Sequence, residues 1–384
     1  MLKNVKLKKA LKKTIFPVLA LVNKLIPKSD RYILLYSANM GIEHNLKPLK
    51  DYLVDNGYHK KYKIICGVEN MKYAEDDDRV TFVPQLKAML YFFISKHVYY
   101  TTGQIPIKPT KQQYVIMLDH GTVSYKAVGA WSNIQNGYAF YFSHFTAPSK
   151  TFAPIYQQQY LCKPENMVVN GEPVNDLFFR DYEKYDLGDY NKLGVWAPTF
   201  RQSDYLGYDD SEEDLLPMFA PEEYEELNAQ LSRHNIKLIV KLHPAQSLDK
   251  YAQKKYSHLE LCSSQDFQEK GYELYAMLKQ SDFLVADYSS VPQQYLLLDK
   301  PIAFAIPDID EYAERRGFVF KNVQDYMPGP KMKTKEELYA FLEDMAAGRD
   351  DYRAERARVC DIVHEYKDGN NCKRALEIGQ ITLP

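Results

Sequence analysis

The strongest constraint on this 384-residue chain is an alternation, run through twice, of short continuous apolar segments with helical stretches. RYILLYSA (31–38), KYKIICGV (61–68) and YVIMLDHGT (114–122) alternate with KPLKDYLVDNG (47–57) and AMLYFFISKHVYYTT (88–102). LGVWAPTF (193–200), IKLIVKLHP (236–244), FLVADYSS (283–290) and IAFAIP (302–307) then begin a second series. Strands that are apolar throughout suit parallel sheets covered on both faces, and strand–helix–strand repetition builds such sheets. The expected fold class is α/β, with two doubly wound Rossmann-like domains facing a cleft. The length also fits two domains better than one. The boundaries read as 30–185 and 190–345, with a separate helix over 1–29 and helices packing on the domains over 346–384.

Residues 1–28 carry eight lysines and no acid, so a chain of formal charge −2 holds −10 in its remainder. Leu7, Leu11, Ile15, Val18, Val22 and Leu25 recur at intervals of three and four, along one helical face, while most of the lysines fall elsewhere. A basic amphipathic helix lying on an anionic membrane surface is the expectation, kinked or split at Pro17. The apolar run from Ile15 to Val22 is far short of the roughly 20 residues that a span requires. A signal peptide is the rival reading, but no small-residue cleavage site follows and the cysteine usage disagrees. Cys66, Cys162, Cys262, Cys360 and Cys372 lie far apart, are odd in number and form no Cys-x-x-Cys pair. Reduced thiols in the cytoplasm are expected, with neither a disulfide framework nor a zinc site. The near-neutral balance gives no case for a nucleic-acid partner. The acidic stretch YDDSEEDLL (208–216) reads as a solvated loop with no metal role.

Ligands of open parallel sheets bind beyond the carboxyl ends of the strands, and each polar motif of this chain falls there. His120, Gly121 and Thr122 follow YVIMLD; Pro198, Thr199 and Arg201 follow LGVWA; Lys241 and His243 follow IKLIV; Asp287, Ser289 and Ser290 follow FLVA. Cations neutralise phosphate oxygens and a helix start offers unpaired N–H groups, so four such ends together fit a phosphorylated ligand. Singly, Asp-Tyr-Ser-Ser would be ordinary helix capping, His120 a turn residue and His243 a capped strand end. His44, His59, His97, His144, His234, His258 and His364 have no comparable setting and read as structural or surface residues.

The order of these motifs resembles the CDP-glycerol glycerophosphotransferase family of teichoic acid synthesis. The residues concerned are His120 to Thr122, Gly171 to Asp176, Ala197 to Arg201, Lys241 to Pro244, Ser281 to Val291, Lys300 to Ile302, Asp308 to Tyr312 and Pro328 to Pro330. The resemblance implies a glycosyltransferase-B-like fold and peripheral attachment at the cytoplasmic face of the membrane. It also implies transfer of glycerol phosphate, or a related polyol phosphate, from a CDP-alcohol to a lipid-linked saccharide acceptor. The family's usual Pro-Leu-Lys after His-Gly-Thr is replaced by Val123, Ser124 and Tyr125 before Lys126. Val174 stands where an arginine is usual, and Gln294 where an aspartate is usual. Losing an arginine removes a charge-assisted contact, so the pair predicts weaker use of CDP-glycerol than of another CDP-alcohol, unless both lie at a pocket rim.

On this reading His120 is the general base and His243, Lys241 and Arg201 stabilise the phosphates. Gly121, Thr122, Pro198, Thr199, Asp287, Ser289, Ser290 and Gln294 complete the donor site. No Asp-x-Asp pair sits at a strand end, so neither a metal nor another cofactor is expected. A nucleotide-sugar glycosyltransferase of the same fold is one alternative, and a non-catalytic membrane-bound relative is another.

Overall fold

The computed structural model describes residues 5–37, 41–101, 105, 107–119, 125–131, 141–199, 202–203, 208–209, 215–242 and 254–383, with the backbone alone for 5–14, 202–203 and 208–209. The chain forms two units that are not contiguous in sequence. The first takes residues 1–122, 129–179 and 364–384, and the second takes 123–128 and 180–363.

In the first unit seven strands form one sheet: β1 (Ser29–Tyr36), β2 (Lys63–Val68), β3 (Val80–Pro84), β4 (Ser95–Tyr100), β5 (Tyr114–Met117), β6 (His144–Ala147) and β7 (Met167–Val169). Their order is β3-β2-β1-β4-β5-β6-β7, and every pairing is parallel. Ile33, Leu34 and Leu35 of β1 and Val98 to Tyr100 of β4 are fully buried, as the absence of polar alternation requires. The helices are α1 (Val5–Leu25), α2 (Leu46–Asp55), α3 (Gln85–Ile94) and α4 (Ala153–Gln159), with one more from the far end of the chain. The expected break at Pro17 does not occur, because α1 runs through it as one 21-residue helix. Pro17 is exposed, on a side where solvent can satisfy the carbonyl that its missing N–H leaves free.

The second unit contains β8 (Lys192–Trp196), the short ribbon of β9 (Gln202–Ser203) and β10 (Tyr208–Asp209), then β11 (Ile236–Lys241), β12 (Leu259–Cys262), β13 (Phe283–Ala286), β14 (Ile302–Ala305) and β15 (Lys331–Met332). Its main sheet has the order β12-β11-β8-β13-β14-β15, again wholly parallel. Helices α5 (Tyr224–Arg233), α6 (Ser264–Glu269), α7 (Leu274–Gln280), α8 (Val291–Tyr295), α9 (Ile309–Arg315), α10 (Lys335–Ala347) and α11 (Arg353–Val363) cover it. Trp196, Leu238, Val240, Phe283, Val285, Leu338 and Phe341 share one core. Gly194 is required there, since a Cβ at that position would lie 2.3 Å from the Phe283 ring.

The chain end returns to the first unit as α12 (Asn371–Ile378), whose Cys372, Ala375 and Leu376 pack with Leu46, Leu49 and Leu53 of α2. Asp176 fixes it by accepting the N–H groups of Asn371 (2.9 Å) and Cys372 (2.7 Å). Burial pushes the Asp176 carboxyl up, against the pull of these bonds. Gly171 lets α12 approach: its φ is +76°, and a Cβ would meet the Asn371 side chain at 2.3 Å. Gly171 and Asp176 of the Gly-x-Pro-x-Asn-Asp motif thus hold a helix in place. Asp176→Ala leaves two buried donors without an acceptor and is expected to cost about 0.5–2 kcal/mol, the range for a lost helix cap, in a urea unfolding midpoint.

Candidate functional site

In the second unit the strands run outward from β8 through β11 to β12, then from β13 through β14 to β15. The topological switch therefore lies between β8 and β13, where an open α/β sheet offers its ligand crevice. The carboxyl ends of these two strands carry Pro198–Thr199 and Asp287–Ser290, and one set of bonds locks them together. Asp287 Oδ2 accepts the Thr199 N–H at 2.7 Å, while Oδ1 accepts the Thr199 hydroxyl at 2.6 Å and the Ser289 N–H at 3.1 Å. Asp287 is fully buried, and Pro198 and Thr199 are buried too. Both oxygens of Asp287 are engaged by these loops, so the geometry gives this carboxylate the task of shaping the site.

The hydroxyls beside it are differently placed. Ser290 is the N-cap of α8 yet makes no side-chain capping bond, and the buried Ser289 Oγ has no hydrogen-bond partner. Capping therefore does not explain the two serines. The helix they open is only five residues long before a 3₁₀ turn at Leu296–Leu298, so the anion support expected of a helix N-terminus is small. Lys241 ends β11, beside β8 in the sheet, with Nζ 5.7 Å from the centre of the Phe267 ring. His120, Gly121, Thr122, Arg201 and His243 lie outside the described residues.

The two family departures do not lie at a rim. Val174 is 2% exposed and gives its N–H to Asn45 Oδ1 at 2.9 Å; Gln294 is also 2% exposed and accepts the Tyr275 hydroxyl at 3.0 Å. Val174 belongs to the first unit and Gln294 to the second. An arginine at 174 would have to be taken into a packed interior, so this position gives no ground for a donor pocket remade by charge exchange.

Several organising residues escaped the sequence reading. Asn45, fully buried, donates from Nδ2 to the carbonyls of Leu118 (2.9 Å) and Asp119 (3.2 Å), besides receiving the Val174 N–H. Asp119 has φ +58° and takes the Tyr160 hydroxyl on both carboxylate oxygens at 3.0 Å. The backbone immediately before His120 is held in a left-handed conformation by two side chains distant in sequence, Asn45 and Tyr160. In the second unit the Gln293 amide, with its nitrogen turned to the carbonyls of Ser290 (2.8 Å) and Ser289 (3.2 Å), lies 2.8 Å from the Tyr125 hydroxyl. That hydroxyl donates to the Tyr326 carbonyl at 2.5 Å, and the Tyr125 carbonyl accepts the Val319 N–H at 2.8 Å. The departure at Tyr125 thus buttresses the serine loop. Only proximity in sequence, Tyr125 to Thr122 and Gln293 to Ser290, could have pointed to this pair.

Two parallel, doubly wound units define an α/β protein of the glycosyltransferase-B-like class. More narrowly, the chain belongs to the CDP-glycerol:poly(glycerophosphate) glycerophosphotransferase family, whose profile matches residues 18–378. It is 27% identical over 242 residues to the teichoic acid glycerol-phosphate primase of Bacillus subtilis, covering 61% of this chain and 56% of that protein. It is 23% identical over 391 residues to the teichoic acid poly(ribitol-phosphate) polymerase of Bacillus spizizenii, covering 94% of this chain and 58% of that protein. The chain thus spans little more than half the length of these relatives. Its fold is shared with the wall teichoic acid polymerase TagF at a TM-score of 0.73 and 18% identity, over 98% of this chain and 95% of that one.

Proposed function

We propose that this protein transfers a polyol phosphate, glycerol phosphate or a close relative, from a CDP-activated donor to a hydroxyl of a lipid-linked saccharide acceptor. The observation that carries this reading is the β8–β13 switch point, where the Thr199–Asp287 lock holds a loop whose Ser290 makes no capping bond and whose buried Ser289 Oγ has no hydrogen-bond partner, a setting suited to phosphate or ribose oxygens once a donor is bound. In the reaction the acceptor oxygen attacks the polyol-bearing phosphorus and passes its proton to His120. The bond from that phosphorus to the bridging oxygen breaks, and CMP leaves with the electron pair. Lys241, Arg201 and His243 offset the charge that gathers on the departing phosphate. Gly121 and Thr122 follow the base in its loop, and Gln294 supports the donor loop through α8.

Attachment to the inner membrane surface belongs to the same reading. Leu21 and Leu25 of α1 are 60% and 78% exposed, and Ile15, Val18 and Val22 on the same side are exposed as well. Among the described residues no helix is long and apolar enough to cross a membrane. A donor panel tests the chemistry: CDP-glycerol and CDP-ribitol are expected to release CMP in the presence of a lipid-linked acceptor, and UDP-sugars to release nothing. Turnover of a UDP-sugar would favour a glycosyltransferase, and cytidine nucleotide binding without turnover would favour a non-catalytic relative.

A further inference from the structure

Helix α3 is apolar on two opposite sides. Ala88 and Phe92 are buried, whereas Leu86 and Leu90, one turn apart, are 85% and 66% exposed. The inward pair accounts for docking on the sheet, and among the described residues of the first unit nothing covers the outward pair. The end of α3 is tied to the end of α1. Lys28 Nζ donates to the Phe93 carbonyl at 2.6 Å and to both oxygens of Asn23, at 2.7 and 2.8 Å. Asn23 in turn donates to Gln113 Oε1 (2.8 Å) and the Lys108 carbonyl (3.1 Å), and Gln113 donates to the Phe92 carbonyl (2.8 Å). Two helices with outward apolar side chains are thus pinned at one corner of one unit.

The charge around this corner has one sign. Residues 80–118 contain Lys87, Lys96, Lys108 and Lys111 and no Asp or Glu. Lys87, Lys108, Lys111 and Lys24 are exposed, and Asp30 of β1, the strand that pairs with β4, is bonded to Lys96 at 2.8 Å. Exposed leucines on a segment whose only charged residues are lysines suit a partner that is apolar inside and anionic at its surface, which is a bilayer containing acidic lipid. We infer that α3 is a second membrane-contacting helix, with Leu86 and Leu90 entering the interface beside α1. This deepens the membrane reading of α1 and rests on it: both helices share one docking face, and the lysines of 87–111 add to the attraction.

The test is co-flotation of the full chain with phosphatidylcholine vesicles with and without phosphatidylglycerol, for wild type, Leu86→Glu/Leu90→Glu and Val18→Glu/Leu21→Glu. Binding is expected only with the anionic lipid, to fall at least tenfold in each double variant, and to weaken with salt. If the α3 variant binds as wild type while the α1 variant does not, the inference fails and the reading of α1 stands. If neither variant changes binding, both fail. If the α3 variant instead splits a dimer and leaves flotation unchanged, the face joins two copies of this chain and the inference is overturned. A second measurement is independent of how glutamate is tolerated. Because all five native cysteines are buried, a polarity-sensitive label at Leu90→Cys reports its own surroundings, and its emission is expected to shift to the blue with anionic vesicles. An unshifted emission while the protein is bound would contradict the inference.

Discussion

Replacing His120 by alanine is expected to lower polyol-phosphate transfer by about 10²–10⁴-fold, the usual cost of removing a general base, with little change in unfolding midpoint or in CDP binding. The hydroxyl of a sugar or polyol is a poor nucleophile until its proton has somewhere to go, and on the proposed reading His120, which follows β5 in sequence, takes it. The loop is prepared for such a task by Asn45, which fixes the Leu118 and Asp119 carbonyls, and by Tyr160, which holds the Asp119 carboxylate. His243→Ala is expected to lower the rate to a comparable degree but through loss of charge stabilisation. The two variants differ in their pH profiles: the acidic limb of kcat/KM disappears with His120 and persists without His243. A His120→Ala protein with near-normal turnover would remove that residue from the base role.

The second large effect concerns Asp287. Its alanine variant leaves the Thr199 N–H, the Thr199 hydroxyl and the Ser289 N–H facing a void in a fully buried place. A buried group left unpaired costs about 1–3 kcal/mol, and three sharing one cavity bring the expected loss to on the order of 4 kcal/mol. Asp287→Asn keeps one amide oxygen for the Thr199 N–H and loses less, and Thr199→Val loses less again. Urea midpoints at constant slope measure this series. Because both carboxylate oxygens are bonded to Thr199 and Ser289, Asp287→Asn is expected to raise donor KM more than it lowers kcat. An Asp287→Ala midpoint equal to wild type would mean that the switch-point loops are held by other contacts.

What was legible in the sequence was periodicity. FLVA and IAFA declare buried parallel strands because every residue is apolar, and both occupy the interior of the second sheet's order. HFTA at β6 is mixed in polarity and MVV at β7 is only three residues long, and their place at and next to the sheet edge depends on pairing with strands already laid down. The return of α12 to the first unit was hidden because its anchor, Asp176, lies almost two hundred residues away, at |i−j| of 195 from Asn371. Strand-end positions of Thr199, Asp287, Ser289 and Ser290 were visible for the same reason as the strands. Their division of labour was not: a buried aspartate bonded to a threonine and a serine whose hydroxyl lacks a partner have the same one-letter neighbourhood. Val174 shows the limit of motif comparison, since a departure that suggests a lost phosphate contact is a buried side chain whose N–H meets Asn45.

The most direct test of the central claim is to follow both products of one incubation of the full-length protein with CDP-glycerol or CDP-ribitol and a lipid-linked saccharide acceptor. Mass spectrometry of the lipid and quantitation of CMP are expected to show the acceptor gaining one or more polyol-phosphate units, with one CMP released per unit added. Lipid unchanged in mass with either donor, while an active family relative assayed alongside extends the same acceptor, would contradict the account.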